Sequence, residues 1–387
     1  MSPVRTPVLA VANDDRIGLF DLQRQRARLE ADIKARMDAV LAHGQFILGP
    51  EVETLEKRLA TYTGAKHVVA VSSGRDALMI ALMAMDVRPG DAVFVPAFTF
   101  AATAGAVASV GASPVFVDVD PATHNMDPAD LERAIAEVEA AGQLKPTAVM
   151  PVDLYGLPAD YPAIAAIADR HGMAVLADAA QSMGGASGNR RVGALAPITA
   201  TSFYPTKPLG CYGDGGAVLT EREDLADRVR MIRSHGRQGT GDAAMVLGLT
   251  GRLDTIQAAV LLAKLEVFDV ELGRRRAIAA RYNKGLADVV AVPTVPDGLE
   301  SAHAIYTVRV RHRDQVRARL DAAGIGTGLF YSLALHQHPA FRQFDGRRLD
   351  VSERLASEVL ALPMHPDLSD EEVDRVIAAV KAAVAET

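Results

Sequence analysis

Lys207 stands in Thr201-Ser-Phe-Tyr-Pro-Thr-Lys-Pro-Leu-Gly-Cys-Tyr-Gly-Asp-Gly-Gly-Ala217, a loop rich in glycine and proline between two apolar stretches that read as strands. An amine held there is placed to react. Twenty-nine positions earlier, Val175-Leu-Ala-Asp-Ala-Ala-Gln-Ser182 delivers a carboxylate, Asp178, to the C-terminal end of an apolar strand. An amine and a buried carboxylate are the pair that a pyridoxal phosphate site requires: the amine condenses with the aldehyde, and the acid keeps the pyridine nitrogen protonated. Lys207 and Asp178 are the expected catalytic pair.

The phosphate of such a cofactor needs donors. Val71-Ser-Ser-Gly-Arg-Asp-Ala-Leu78 places small and polar residues where a strand gives way to a helix, so free backbone N–H groups and the positive end of the helix dipole converge there. Ser72, Ser73, Gly74 and Arg75 are the candidate cradle, although a serine before a helix is also an ordinary N-cap. In company with Asp178 and Lys207 the phosphate reading is preferred. Phe100, in Pro96-Ala-Phe-Thr-Phe-Ala-Ala-Thr103, offers a flat face to a cofactor ring or serves as a core aromatic. Gln181 is placed to donate to the ring hydroxyl, and Ser202 to reach the phosphate.

These residues must be held by elements. From about position 15 to 62 apolar residues recur at helical spacing, in Ile17-Gly-Leu-Phe-Asp-Leu-Gln-Arg and again in Ile33-Lys-Ala-Arg-Met-Asp-Ala-Val-Leu. Short apolar runs follow, His67-Val-Val-Ala-Val, Ala92-Val-Phe-Val, Pro114-Val-Phe-Val-Asp, Ala148-Val-Met-Pro-Val and Ala174-Val-Leu-Ala, alternating with helices. That pattern predicts a mostly parallel sheet covered on both faces, over roughly 65–220. After Arg252-Leu-Asp a long apolar-periodic helix from Ile256 leads to a smaller α+β region that contains Ile305-Tyr-Thr-Val-Arg-Val. Residues 1–255 are expected to form a large cofactor-binding domain with a helical N-terminal segment, and 256–387 a small C-terminal domain.

The chain has 387 residues with a net charge of −7, which gives no reason to expect nucleic acid or an anionic membrane as partner. The single cysteine, Cys211, rules out an intrachain disulfide and a metal site built from several cysteines of this chain, in keeping with a cytoplasmic protein. No metal site is expected, and no run of apolar residues has the length of a membrane span.

Taken together, Asp178-Ala-Ala-Gln-Ser, Ser202-Phe-Tyr-Pro-Thr-Lys-Pro-Leu-Gly, Gly213-Asp-Gly-Gly-Ala, Pro96-Ala-Phe-Thr-Phe, Pro114-Val-Phe-Val-Asp-Val-Asp-Pro and Arg252-Leu-Asp-Thr-Ile-Gln-Ala-Ala resemble the DegT/StrS family of nucleotide-sugar aminotransferases. The likeness runs from Phe20-Asp-Leu to Leu362-Pro-Met-His-Pro. It implies the α/β, aspartate aminotransferase-like type I pyridoxal phosphate fold and a homodimer with active sites at the subunit interface. By the same resemblance Lys207 carries the cofactor, Asp178 faces the pyridine nitrogen, Gln181 the ring hydroxyl and Ser202 the phosphate, while Phe100 stacks on the ring. Ser73, Gly74 and Arg75 complete the cofactor set. Thr250 and Arg252 fall at positions that reach the neighbouring subunit's cofactor phosphate and sugar nucleotide, and Phe330, Tyr331 and His336 fall in the substrate region.

Within the family, Pro-Thr-Lys-Pro-Leu-Gly-Cys-Tyr-Gly-Asp-Gly-Gly and Leu-Pro-Met-His-Pro look most like the branch that aminates C3 of UDP-linked 3-oxo-N-acetylglucosaminuronic acid, with L-glutamate as donor. Three positions depart from the family's habit: Arg75 replaces a threonine, Thr250 an asparagine, and Phe330 a histidine ahead of Tyr331. A 4-oxo-sugar aminotransferase and a non-catalytic regulatory protein on the same scaffold are the alternative readings; sugar dehydratases of similar sequence carry histidine where Lys207 stands. His235, in Arg233-Ser-His-Gly-Arg, reads as a solvated loop histidine.

Overall fold

The computed structural model describes residues 16–239, 241–344 and 347–387. Seven short strands form its central sheet: β1 (His67–Val71), β2 (Asp91–Pro96), β3 (Ser113–Val117), β4 (Lys145–Val149), β5 (Ala174–Asp178), β6 (Ile198–Ser202) and β7 (Gly216–Thr220). Their order across the sheet is β1-β7-β6-β5-β4-β2-β3. The run from β3 to β6 is parallel, and β7 lies antiparallel to both β6 and β1. The expectation of a mostly parallel sheet holds, and register pairs Asp178 with Ala200 and Ser202 with Gly216.

Period-two alternation sorts each strand between two apolar layers. Val69 and Val71 of β1, Val93 and Val95 of β2 and Leu176 of β5 face one layer. There they meet α3 (Gly74–Ala84), α4 (Ala101–Ser109) and α7 (Glu223–Ile232). Phe94, Val149, Val175 and Ala177 face the other way, onto α5 (Pro128–Ala141) and α6 (Tyr161–Arg170). Helix α7 shows the cause in miniature: Leu225, Val229 and Ile232, spaced four and three apart, are its buried stripe.

Before the sheet come α1 (Leu22–His43) and α2 (Pro50–Thr63), and after it α8 (Thr255–Leu265) and α9 (Phe268–Leu286). The sequence pattern placed Ile17 in the entry helix, but Asp21 caps α1 by accepting from the Gln23 and Arg24 N–H groups, and Ile17 instead pairs with Ile325. Helix α8 buries Ala258, Leu261 and Leu262 together with Leu55 and Leu59 of α2. A second core joins Ile278 and Tyr282 of α9 to β8 (Tyr306–Arg309), β9 (Val359–Leu362) and α11 (Asp370–Ala385), with α10 (Arg313–Ala322) beside them. Ile17 is buried in that same core. No helix among the described residues is long and apolar enough to cross a membrane.

Candidate active site

Parallel strands end on one edge, and the loops leaving that edge are the usual place for a ligand. Here the ends of β1, β2, β5 and β6 surround a cavity of about 570 Å³ that is lined by Ser73, Gly74, Phe100, Asp178, Ser202 and Lys207, among others. Arg75, Gln181, Phe330 and Tyr331 also reach it. Residues spread over more than 250 positions of sequence are thus brought to one place by the sheet.

Asp178 closes β5 and is 4% exposed. Burial raises its carboxyl above the usual range, opposed by the Thr103 hydroxyl, the Ala180 N–H and the charge on Lys207. Thr103 Oγ1 donates to Oδ2 at 2.8 Å and Ala180 N–H to Oδ1 at 3.2 Å. Lys207 sits in a loop that closes on itself: its N–H donates to the Tyr204 carbonyl, and Cys211 N–H donates to Phe203 O. Desolvation pulls its amine down to about 8, with the Asp178 carboxylate resisting. Burial therefore favours the uncharged, nucleophilic form of this amine more than in an ordinary exposed lysine.

The cradle is built by close approach. A Cβ on Gly74 would lie 2.5 Å from Ser202 Cβ, so only glycine lets the start of α3 rest against the end of β6. Ser73 Oγ caps α3 by accepting Asp76 N–H at 3.0 Å, and Ser72 Oγ donates to Asp76 Oδ2 at 2.5 Å. The capping reading is correct for Ser73, and Gly74 and Arg75, whose first-turn N–H groups have no place in the intrahelical ladder, are both in the cavity lining. Arg75 is exposed and donates from Nη2 to Ser109 Oγ at 2.8 Å; neither Asp76 nor Glu56 engages it. Ser202 Oγ accepts Tyr204 N–H at 3.3 Å and keeps its own proton for a ligand.

Phe100, the residue before α4, leaves 57% of its surface exposed on the cavity wall, 6.0 Å from the Tyr331 ring. An apolar ring left uncovered in a cleft suits a flat ligand. Gln181 is buried, with Oε1 accepting Tyr155 N–H at 2.7 Å and Nε2 directed to the Tyr331 hydroxyl at 3.2 Å. Tyr155 also donates its hydroxyl to the Phe330 carbonyl. The uncovered ring, the glycine cradle, the desolvated amine and the buried acid together fit pyridoxal phosphate.

Three candidate residues stand outside this cavity, two of them expected to serve a neighbouring subunit. His336 was grouped with the substrate residues, yet it is 8% exposed, bonded to Glu353 at 3.1 Å and packed near Phe116 of β3. The Leu335 N–H, held by the Ala97 carbonyl, turns the chain behind β2 and carries His336 with it. Thr250 and Arg252 are outside the lining of this cavity, on a segment that runs beside the end of β1. Thr103 and Tyr155 are additions that sequence reasoning left without a role. Thr103 lies in the first turn of the alanine-rich α4 and Tyr155 in the short turn after β4, and neither carried a signal in the sequence.

Sheet order, strand-end carboxylate, loop amine and helix N-terminus define the class: a type I pyridoxal phosphate-dependent transferase fold. Within it the chain belongs to the DegT/DnrJ/EryC1/StrS aminotransferase family, whose sequence profile matches residues 27–381. It is 44% identical over 365 residues to the UDP-2-acetamido-2-deoxy-3-oxo-D-glucuronate aminotransferase of Pseudomonas aeruginosa, which covers 94% of this chain and 99% of that protein. A DegT/DnrJ/EryC1/StrS aminotransferase from Brucella abortus superposes with a TM-score of 0.93 at 48% identity, covering 95% of this chain and 99% of that one. The Bacillus subtilis ntda protein, solved with bound cofactor PMP, gives a TM-score of 0.88 at 31% identity, covering 96% of this chain and 85% of its own.

Proposed function

We propose that this protein is a pyridoxal phosphate-dependent aminotransferase that moves the amino group of L-glutamate to a keto-sugar nucleotide, UDP-linked 3-oxo-N-acetylglucosaminuronate, in amino-sugar biosynthesis for a surface polysaccharide. The observation that carries the reaction class is the single cavity shared by the Lys207 amine, the Asp178 carboxylate and the Gly74 cradle. Full-length similarity to the Pseudomonas aeruginosa enzyme supports the substrate. Bound pyridoxal phosphate supplies an aldehyde and an electron-withdrawing ring. Asp178 holds a proton at the ring nitrogen, for which its carboxyl must be ionised. The Lys207 amine would be the base that takes a proton from the donor carbon bearing the nitrogen and the acid that delivers a proton on the other side of that nitrogen, a role worth about 10²–10⁴-fold. The Gly74 and Arg75 N–H groups and the Ser202 hydroxyl bind phosphate, Gln181 orients the ring hydroxyl and Phe100 covers one ring face.

We further place the enzyme in the cytoplasm as a homodimer in which Thr250 and Arg252 serve the neighbouring copy's cavity. Their position outside this chain's own cavity, and the exposed Leu41, Phe46, Ile47 and Leu48, support that arrangement. The test is mass spectrometry of products after incubation with L-glutamate and a panel of UDP- and dTDP-linked 3-oxo and 4-oxo sugars. A one-amine product from the UDP 3-oxo uronate is expected; conversion of 4-oxo sugars alone overturns the substrate assignment.

A further inference from the structure

The ring of His235 is not free in a solvated loop but tied into the segment that carries Thr250 and Arg252. Residues 250 and 252 are two apart on extended backbone and therefore present their side chains to the same side. That backbone is fixed on both flanks: Ser234 pairs with Thr250, Val71 pairs with Arg252, and Gly251 N–H donates to the Arg233 carbonyl at 2.9 Å. His235 N–H donates to Leu249 O at 3.0 Å, and its φ of 64° is left-handed, a conformation uncommon outside glycine. The next residue must be glycine, since a Cβ on Gly236 would lie 1.7 Å from the Val246 carbonyl oxygen. This strained turn aims Nε2 at two side chains at once: Arg252 Nη1 at 3.0 Å and Thr250 Oγ1 at 3.5 Å. A guanidinium has only donors, so Nε2 accepts and the ring proton resides on Nδ1. A long arginine at a protein surface samples many rotamers, and a rigid acceptor that fixes it beforehand lowers the entropy lost on binding.

We propose that His235 is a positioning residue that presents Arg252 to an anionic group of the sugar nucleotide bound by the neighbouring copy of this chain. The inference rests on the dimer reading above. It is tested by calorimetric binding of two unreactive probes, uridine diphosphate and UDP-N-acetylglucosaminuronic acid, to holoenzyme carrying His235→Phe, His235→Gln or Arg252→Ala. His235→Phe is expected to weaken binding about tenfold and to raise KM for the sugar nucleotide while kcat and the glutamate half-reaction stay within about twofold. His235→Gln, which keeps an acceptor, should recover most of the affinity. Weakening with both probes assigns the diphosphate as the anion, and weakening with the uronate alone assigns the carboxylate. If Arg252→Ala binds both probes as wild type does, the dimer reading fails and the proposal with it. If Arg252→Ala weakens binding but His235→Phe does not, or if His235→Phe slows the glutamate half-reaction equally, only the role of His235 is overturned.

Discussion

Thr103 limits how far burial can push Asp178 away from the charged form that the chemistry needs. Its hydroxyl is the largest of the influences opposing desolvation. A hydrogen bond to a charged group contributes about 1.5–3 kcal/mol, so Thr103→Val should lower kcat by about 10–100-fold, with little change in KM for the sugar nucleotide. Asp178→Asn removes the charge altogether and should retain cofactor but lose more rate than Thr103→Val; single-turnover absorbance with glutamate measures both, and equal rates for wild type and Asp178→Asn would exclude the carboxylate as ring partner. Lys207 and Asp178 were legible because glycine-rich punctuation and apolar runs marked the two strand ends. Thr103 was not, since a threonine in an alanine-rich helix looks the same whether or not a carboxylate faces it. The place of His336 was not legible for a related reason: nearness in sequence to Tyr331 says nothing of a turn that sends the next residues behind the sheet.

Elements carry the phosphate site more than any one side chain does. The start of α3 reaches the end of β6 only because residue 74 lacks a Cβ. Gly74→Ala is therefore expected to weaken pyridoxal phosphate binding by at least about tenfold, through displacement of the cradle, while the far-ultraviolet circular dichroism stays native. Fluorescence titration of the apoenzyme reads this, and unchanged affinity would show that the helix end does not hold the phosphate. The parallel strands were readable from their apolar runs, because burial on both faces leaves little room for polar residues. Less readable was the division between units. Leu261 and Leu262 of α8 and Phe268 and Leu272 of α9 belong to the core beside α2, whereas Ile278 and Tyr282 belong to the second core. We propose the division within α9 rather than at 255, since a continuous helix shows the same periodicity whichever core its face meets.

At the scale of the molecule, His124 from the large unit and His303 from the segment that enters the small one stand on the same small cleft as Tyr155. Burial lowers both imidazoles to about 4, with nearby arginines adding to the effect. The unfolded chain takes up these protons near pH 6.5 and the folded chain only near pH 4. Their neutral forms therefore permit full stability above about pH 6.5, and stability is lost as pH falls through that window, by up to about 3 kcal/mol per histidine. Thermal melts of wild type should decline between pH 6.5 and 4, and His124→Asn, which tolerates the φ of 63°, should decline less. Identical slopes would remove His124 from the account. The pairing of Ile17 with Ile325 bears on how the molecule is made. A ribosome delivers residue 17 more than three hundred residues before its partner, so the early segment must wait, unpaired, while the sheet assembles behind it. The small unit is then the last part of the nascent chain to gain its shape, and the cleft between the units can close only near the end of synthesis.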